Sequence, residues 1–222
     1  MSDFAKRLDA ARFAVAEACH VCRKVQERLA SVRSMLKDDK SPVTVADFAS
    51  QAVVARTLAE RLGSVNLVAE EDADELRAQI ASGNTAYAEA VLEGVRAAWP
   101  NATLDEVLEA IDLGGADPAT DDFHGFWTLD PIDGTTGFLR GEQYAVSLAW
   151  IEAGSPVIGV VGCPNLSADF SRPFDDPDPH GCIYLAAAGE GVYETPADDV
   201  EAHQVKITRL ETAESEPVRM CE

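Results

Sequence analysis

The feature that most constrains the fold is a change of hydrophobic period along the chain, from helical near the start to strand-like later. Apolar residues recur at every third or fourth position from Phe4 to Leu36, which predicts one long amphipathic helix. Charged residues and Pro42 interrupt that pattern, and a second helix is predicted over residues 45–62, with Gly63 as its left-handed cap. A short strand, Val65–Ala69, should follow.

The later part of the chain alternates between apolar and polar residues, which is typical of half-buried strands. Glu152–Ser155 and Gly189–Gly191 have the composition of hairpin turns. The predicted strands are Phe126–Asp130, Gln143–Ile151, Val157–Cys163, Gly181–Ala188, Val192–Glu194 and Gln204–Thr208.

The middle of the chain, residues 72–125, is harder to interpret. Helical stretches are predicted near 86–98 and 103–112, and the glycines and prolines of 114–118 indicate an exposed insertion. Helices first and an antiparallel sheet afterwards predict an α+β fold, a layered sandwich of helices on that sheet.

Composition narrows the function classes. The net charge of −21 should repel phosphate backbones, so no nucleic acid is expected as a partner. No apolar run approaches the roughly 20 residues of a membrane span, so no membrane association is expected. Five cysteines, an odd number, do not suggest a disulfide framework, and Cys19 and Cys22 are interpreted as core residues. These features favour a soluble, cytoplasmic protein.

The string from Asp130 to Phe138 has the clearest chemical meaning. Asp130 and Asp133 are separated by a proline turn at a strand end, so their oxygens can point at one Mg²⁺ or Mn²⁺ ion. The Gly134–Gly137 segment can begin a helix whose free N–H groups hold a phosphate. Together they predict a metal and phosphate site.

Two further acidic clusters stand at predicted element ends. Glu70 and Glu71 follow the short strand, where a carboxylate is costly unless it meets a cation. Thr44 is expected to cap the second helix, with Asp47 in its first turn, a position that the helix dipole favours. A layered domain can bring all three clusters together.

These strings carry a resemblance to a known family. Asp39–Asp47, Val68–Asp72 and Trp127–Gly141 together resemble the inositol monophosphatase superfamily, most of all its 3′(2′),5′-bisphosphate nucleotidase branch. The Cys163–Asn165 string also favours that branch. The resemblance implies the family's α/β sandwich, with residues 1–210 as its N-terminal α+β domain and 211–222 as the start of a junction to a further domain.

Carried over to this sequence, the resemblance implies a site and a cofactor. The Mg²⁺ ligands would be Glu70, Asp130, the Ile132 carbonyl and Asp133, with two or three ions in a complete homologue. Asp47 and Thr135 would activate water, and the Gly134 and Thr135 amides would hold the phosphate of a small-molecule phosphate ester.

The same resemblance implies a function and its limits. The expected reaction is removal of the 3′-phosphate of 3′-phosphoadenosine 5′-phosphate, as in sulfate assimilation and nucleotide salvage. An inositol polyphosphate 1-phosphatase and a non-catalytic metal- or partner-binding remnant are the alternatives. Because no Trp-Asp pair occurs after Asp133, a family metal ligand is missing, and impaired turnover is expected. Self-association through the face left by the missing domain is also expected.

Overall fold

The computed structural model describes residues 3–29, 42–119, 124–169 and 171–207. Its helices are α1 (Asp3–Glu27), α2 (Pro42–Leu62), α3 (Ala73–Ala81), α4 (Thr85–Val95), α5 (Leu104–Asp112) and α6 (Thr135–Arg140). Its strands are β1 (Leu67–Val68), β2 (Gly125–Asp133), β3 (Ala145–Glu152), β4 (Ser155–Cys163), β5 (Cys182–Ala187), β6 (Gly191–Pro196) and β7 (Val205–Ile207). None of these helices is both long and apolar enough to cross a membrane.

The strands form one sheet of seven, in which each strand lies beside its neighbour in the sequence. Adjacent strands from β2 to β7 are antiparallel, as predicted, and short turns join two of the five pairs, β3 to β4 and β5 to β6. The pairing of β1 with β2 is parallel, so the sheet is mixed rather than purely antiparallel. The chain travels from β1 to β2 through α3, α4 and α5, and a crossover of this length permits the parallel arrangement.

Helices α1 and α2 pack on each other and together cover one face of the sheet. Helix α1 contacts β3, β4 and β5, whereas α2 contacts β2 and also α4, α5 and α6. At Gly162 a methyl group would overlap Val15 and the Cys19 sulfur, so glycine lets α1 approach β4 closely. Cys19 and Cys22 are buried in this core, which confirms their interpretation as packing residues.

Alternate residues of the central strands point away from α1 and α2. In β3, the buried Val146, Leu148 and Trp150 face the helices, and the residues between them are partly exposed. The fold is therefore an α+β layered arrangement in which one face of the sheet is covered by helices, as the sequence predicts.

Several local predictions are corrected by the structure. Helix α3 was not predicted, although Asp72 caps it by accepting a hydrogen bond from the Asp74 N–H. The region 114–118 is not simply an exposed insertion, because Gly114 is buried and its carbonyl accepts from the Ala69 N–H at 2.9 Å. Helix α2 begins at Pro42, so Thr44 lies inside the helix rather than capping it.

The same early start of α2 places Asp47 beyond the first turn, not within it. The electrostatic environment of Asp47 is therefore set by its tertiary neighbours rather than by the helix dipole. The predicted part of the first helix beyond Leu29, up to Leu36, lies outside the described residues, as do residues 208–222 with the proposed junction.

Candidate active site

One face of helix α2 carries three buried polar side chains. Asp47, Ser50 and Gln51 are separated by three and four positions, so they lie on the same side of the helix. Ser50 and Gln51 have no solvent exposure, and Asp47 has only 9%. Because buried polar groups need partners, this face predicts contacts to other elements.

Gln51 holds the segment that follows β1. Its amide oxygen accepts from the Glu71 N–H at 2.9 Å, and its Nε2 donates to the Glu71 carbonyl at 2.7 Å. The same Nε2 lies 3.2 Å from the Ile111 carbonyl of α5. This pair of hydrogen bonds keeps the backbone beside Glu70 against the helix that carries Asp47.

Ser50 makes the equivalent contact to the end of β2. Its hydroxyl donates to the Pro131 carbonyl at 3.2 Å. Pro131 lies between Asp130 and Ile132 in the sequence. The pairing of β2 with β3 is irregular between Asp130 and Asp133, so the strand is locally bent there. Within the bend, the Asp130 carboxylate accepts from the Ile132 N–H.

The parallel pairing of β1 and β2 aligns the acidic residues at their ends. Leu67 lies opposite Trp127 and Val68 opposite Thr128. Because both strands run in the same direction, continuing this register brings Glu70 level with Asp130. Both side chains are exposed at this end of the sheet, next to the buried Asp47.

Electrostatic interactions connect these carboxyl groups. Burial raises the pKa of Asp47 to about 8, and the shift is increased by the charges of Glu71, Glu70 and Asp130. Burial also raises the pKa of Asp130, with contributions from Asp133 and Glu70. We call these five residues, Asp47, Glu70, Glu71, Asp130 and Asp133, the acidic cluster.

The acidic cluster continues directly into the turn that begins α6. Gly134 adopts a left-handed conformation with φ of 94°, and Thr135 is the exposed first residue of the helix. Helix α6 packs against α2. A methyl group at Gly137 would overlap the Gln143 carbonyl oxygen, so α6 lies directly against the chain that leaves it.

Two side-chain amides, from Gln26 and Asn165, stabilise the position of α6. Gln26 of α1 donates to the Phe138 carbonyl at 2.9 Å. Asn165 in turn donates to the Gln26 amide oxygen at 3.1 Å and to the Glu142 carbonyl at 2.6 Å. Helix α6 and the residues that follow it are thus tied to α1 and to the loop after β4.

The chemistry of the acidic cluster fits a hard cation. Carboxylates that raise one another's pKa are relieved by a positive charge, and oxygen ligands suit Mg²⁺. In the described part of the chain, no basic side chain forms an ion pair with Asp47, Glu70, Asp130 or Asp133. Among the same described residues, no three His, Cys, Asp or Glu side chains are grouped closely enough to hold an ion.

The acidic residues that the sequence singled out interact electrostatically, although in the described residues no three of them are grouped as ligands of one ion. Asp47, Glu70, Asp130 and Asp133 meet in one electrostatic environment, and Ile132, Gly134 and Thr135 lie in the chain segment at its edge. Their roles as ligands and catalysts remain predictions. Ser50 and Gln51 were not predicted, because their hydrogen-bond partners lie on other elements.

Comparisons with known proteins agree on one family. Residues 5–216 match the description "Inositol monophosphatase family". The chain is 39% identical over 223 residues to "3′(2′),5′-bisphosphate nucleotidase 1" of Arabidopsis thaliana, covering 95% of this chain and 63% of the relative. It is 36% identical over 228 residues to "3′(2′),5′-bisphosphate nucleotidase" of Schizosaccharomyces pombe, covering 94% and 61%.

The chain therefore spans less than two thirds of the length of these relatives. Among solved structures, CysQ from Bacteroides thetaiotaomicron, a bacterial member of the inositol monophosphatase family, aligns with a TM-score of 0.48 at 18% identity. That alignment covers 87% of this chain and 50% of CysQ.

Proposed function

Because the chain belongs to the inositol monophosphatase family, we propose that it carries metal-binding residues of a Mg²⁺-dependent phosphomonoesterase. The proposed substrate is 3′-phosphoadenosine 5′-phosphate, from which the 3′-phosphate would be removed to give AMP. The names of its relatives, bisphosphate nucleotidases at 35–40% identity, support this substrate class.

The observation that carries the proposal is the buried position of Asp47 within the acidic cluster. A carboxyl group with a pKa of about 8 is held among Glu71, Glu70 and Asp130, whose negative charges a cation would neutralise. When bound, Mg²⁺ would neutralise charge on the phosphoryl oxygens and lower the pKa of a water ligand. Glu70, Asp130, the Ile132 carbonyl and Asp133 are the groups that would hold it.

The remaining residues of the proposed site would accept a proton, orient the attacking water and bind the phosphate. Asp47 would accept the proton released when water attacks the phosphate, with Thr135 orienting that water. The Gly134 and Thr135 amides at the start of α6 would donate to phosphate oxygens. The contact between α2 and α6 supports this division, because it keeps the helix of Asp47 beside that of Thr135.

The test is phosphate release from 3′-phosphoadenosine 5′-phosphate, with inositol 1,4-bisphosphate as the competing substrate. We expect Mg²⁺-dependent release that EDTA abolishes and that Asp130→Asn lowers by about 100-fold or more. Glu109→Gln, an exposed carboxylate on α5, is the matched control and should keep the wild-type rate. Release that survives both EDTA and Asp130→Asn would refute the proposal.

The same assay measures the turnover of this chain alone. Residues 1–222 cover less than two thirds of the length of these relatives, so we propose that this stretch, assayed alone, turns over roughly three or more orders of magnitude more slowly than a complete relative. A rate near the common enzyme value of about 10 s⁻¹ would contradict that expectation.

A further inference from the structure

Glu70 lies just beyond the hydrogen-bonded part of the sheet. The pairing of β1 with β2 covers Leu67 and Val68, and the next backbone bond along the chain runs from the Ala69 N–H to the Gly114 carbonyl. Glu70 follows in a bend, with an exposed side chain. Its position therefore depends on how the chain is held on the far side of the bend.

Gln51 holds that side through both ends of its side-chain amide. The amide oxygen accepts from the Glu71 N–H at 2.9 Å, and Nε2 donates to the Glu71 carbonyl at 2.7 Å. A side-chain amide has both a donor and an acceptor, so it can pair with a peptide unit much as a neighbouring strand does. Gln51 is completely buried on α2, so the contact fixes Glu71 relative to the helix that carries Asp47.

The absence of a side chain at Gly114 makes room for the Gln51 amide. A methyl group there would lie 2.6 Å from Gln51 Nε2 and 2.9 Å from the Ala69 Cβ, and both distances are too short for atoms in contact. The same Nε2 lies 3.2 Å from the Ile111 carbonyl. The amide is therefore confined between α2, the end of α5 and the chain after β1.

We propose that Gln51 is a positioning residue, which sets the affinity of the acidic cluster for a divalent cation by holding the backbone that carries Glu70. The inference rests on the proposed function, because it takes Glu70 as a ligand of Mg²⁺. In the described residues the carboxylates are not grouped as ligands, so their side chains must turn toward a bound ion while the backbone beneath them stays in place.

The physical reason is the entropy of ordering a ligand. A carboxylate on a loosely held segment loses backbone freedom when it binds an ion, and this loss weakens the binding. A segment that is already fixed by two hydrogen bonds loses less. Groups that orient metal ligands commonly change metal affinity by about 10–100-fold when they are removed.

The experiment measures Mn²⁺ binding to the folded chain from the electron paramagnetic resonance signal of free Mn²⁺, at about 0.15 M salt to screen the general negative charge. Mn²⁺ is the probe because it takes the same oxygen ligands as Mg²⁺. Gln51→Met keeps a side chain of similar length but removes the amide. We expect it to raise the Kd for Mn²⁺ about 10-fold or more, and Glu70→Gln to raise it at least as much.

A double variant separates positioning from a general loss of structure. If Gln51 acts through Glu70, the combination of Gln51→Met with Glu70→Gln should bind Mn²⁺ about as weakly as Glu70→Gln alone. Two independent effects would instead multiply. Circular dichroism establishes that each variant is folded before it is titrated.

Gly114→Ala reaches the same contact while Gln51 stays in place. Its methyl group must displace the Gln51 amide from Glu71, so it should also weaken Mn²⁺ binding, and again not in a Glu70→Gln background. Gly159→Ala, whose methyl group meets nothing within 4 Å, is the matched control and should bind like the wild type. If Gln51→Met does not fold, the Gly114→Ala series carries the test.

Multiplied losses in the double variants would overturn the proposal, as would a Gly114→Ala variant that binds Mn²⁺ as tightly as Gly159→Ala. If Glu70→Gln weakens the binding but Gln51→Met does not, the positioning role fails and the proposed metal site stands. A wild type that does not bind Mn²⁺ would refute both.

Discussion

At the scale of single residues, Asp47 has a carboxyl group whose environment opposes its own ionisation. Burial is the main cause, and the neighbouring charges of Glu71, Glu70 and Asp130 add to it. A folded-state pKa of about 8, above the ordinary value of 3.8, means that the folded chain retains a proton which the unfolded chain loses. Stability from this group is complete below about pH 4 and is lost as the pH rises through 8.

We therefore expect Asp47→Asn to stabilise the metal-free protein increasingly between pH 5 and 8, by about 1–3 kcal/mol at the upper end. The measurement is the free energy of unfolding in urea with EDTA present, at several pH values. Added Mg²⁺ should narrow the difference, because a cation relieves the same repulsion in the wild type. If the free energies of unfolding of the wild type and Asp47→Asn differ by the same amount at every pH, Asp47 does not titrate in this range.

At the scale of elements, α2 organises the acidic cluster by holding two other segments through neighbouring residues. Gln51 fixes the chain after β1, and Ser50 fixes the end of β2. Helix α6 begins directly after the turn at Gly134, and it packs so tightly that Gly137 has no room for a side chain. The position of α6 is consequently sensitive to the volume of one residue.

Gly137→Ala should test that sensitivity. Its methyl group would overlap the Gln143 carbonyl oxygen, so the backbone must move, at a cost of about 1–3 kcal/mol in unfolding free energy. Gly159→Ala in β4 is the matched control, since nothing lies near its added methyl group, and it should be nearly neutral. Urea unfolding measures both. Equal effects at the two positions would mean that α6 does not depend on this contact.

The elements also show what sequence reasoning can reach. Strands β3 to β6 and helices α2, α4 and α5 were predicted because each is long enough to display its period. The two-residue strand β1 was placed correctly but its parallel pairing with β2 was not predicted, because that pairing depends on the long crossover through α3, α4 and α5. Helix α3 was missed because its signal lies in its cap rather than in an apolar face.

The residues of the candidate site were also predicted only in part. The acidic residues were predicted because their motifs are contiguous in the sequence, as in Asp130–Asp133. Ser50 and Gln51 were missed because their importance comes from partners far along the chain, Pro131 and Glu71. A buried polar residue on a helix is recognised as supporting a site only when those partners are known.

At the scale of the whole molecule, the surface farthest from α2 combines an exposed strand with apolar side chains. Strand β7 pairs only with β6 among the described strands, so one of its edges lacks a strand partner within the described residues. Val205 is 58% exposed, and Ile207 lies directly opposite the exposed Val192. An edge strand with apolar neighbours is a surface on which a second chain can add by strand pairing.

We expect this chain to self-associate through β7, and the net charge of −21 sets how the association responds to salt. Two copies repel each other at long range, so raising the salt concentration should screen the repulsion and strengthen apolar association. Sedimentation velocity at low and high salt measures this. Ile207→Lys should weaken the association, whereas Phe174→Ser, which removes a more exposed apolar side chain from the loop between β4 and β5, should not. A wild type that stays monomeric at about 100 µM in high salt would contradict the expectation, because screening would then have removed the repulsion without revealing any attraction.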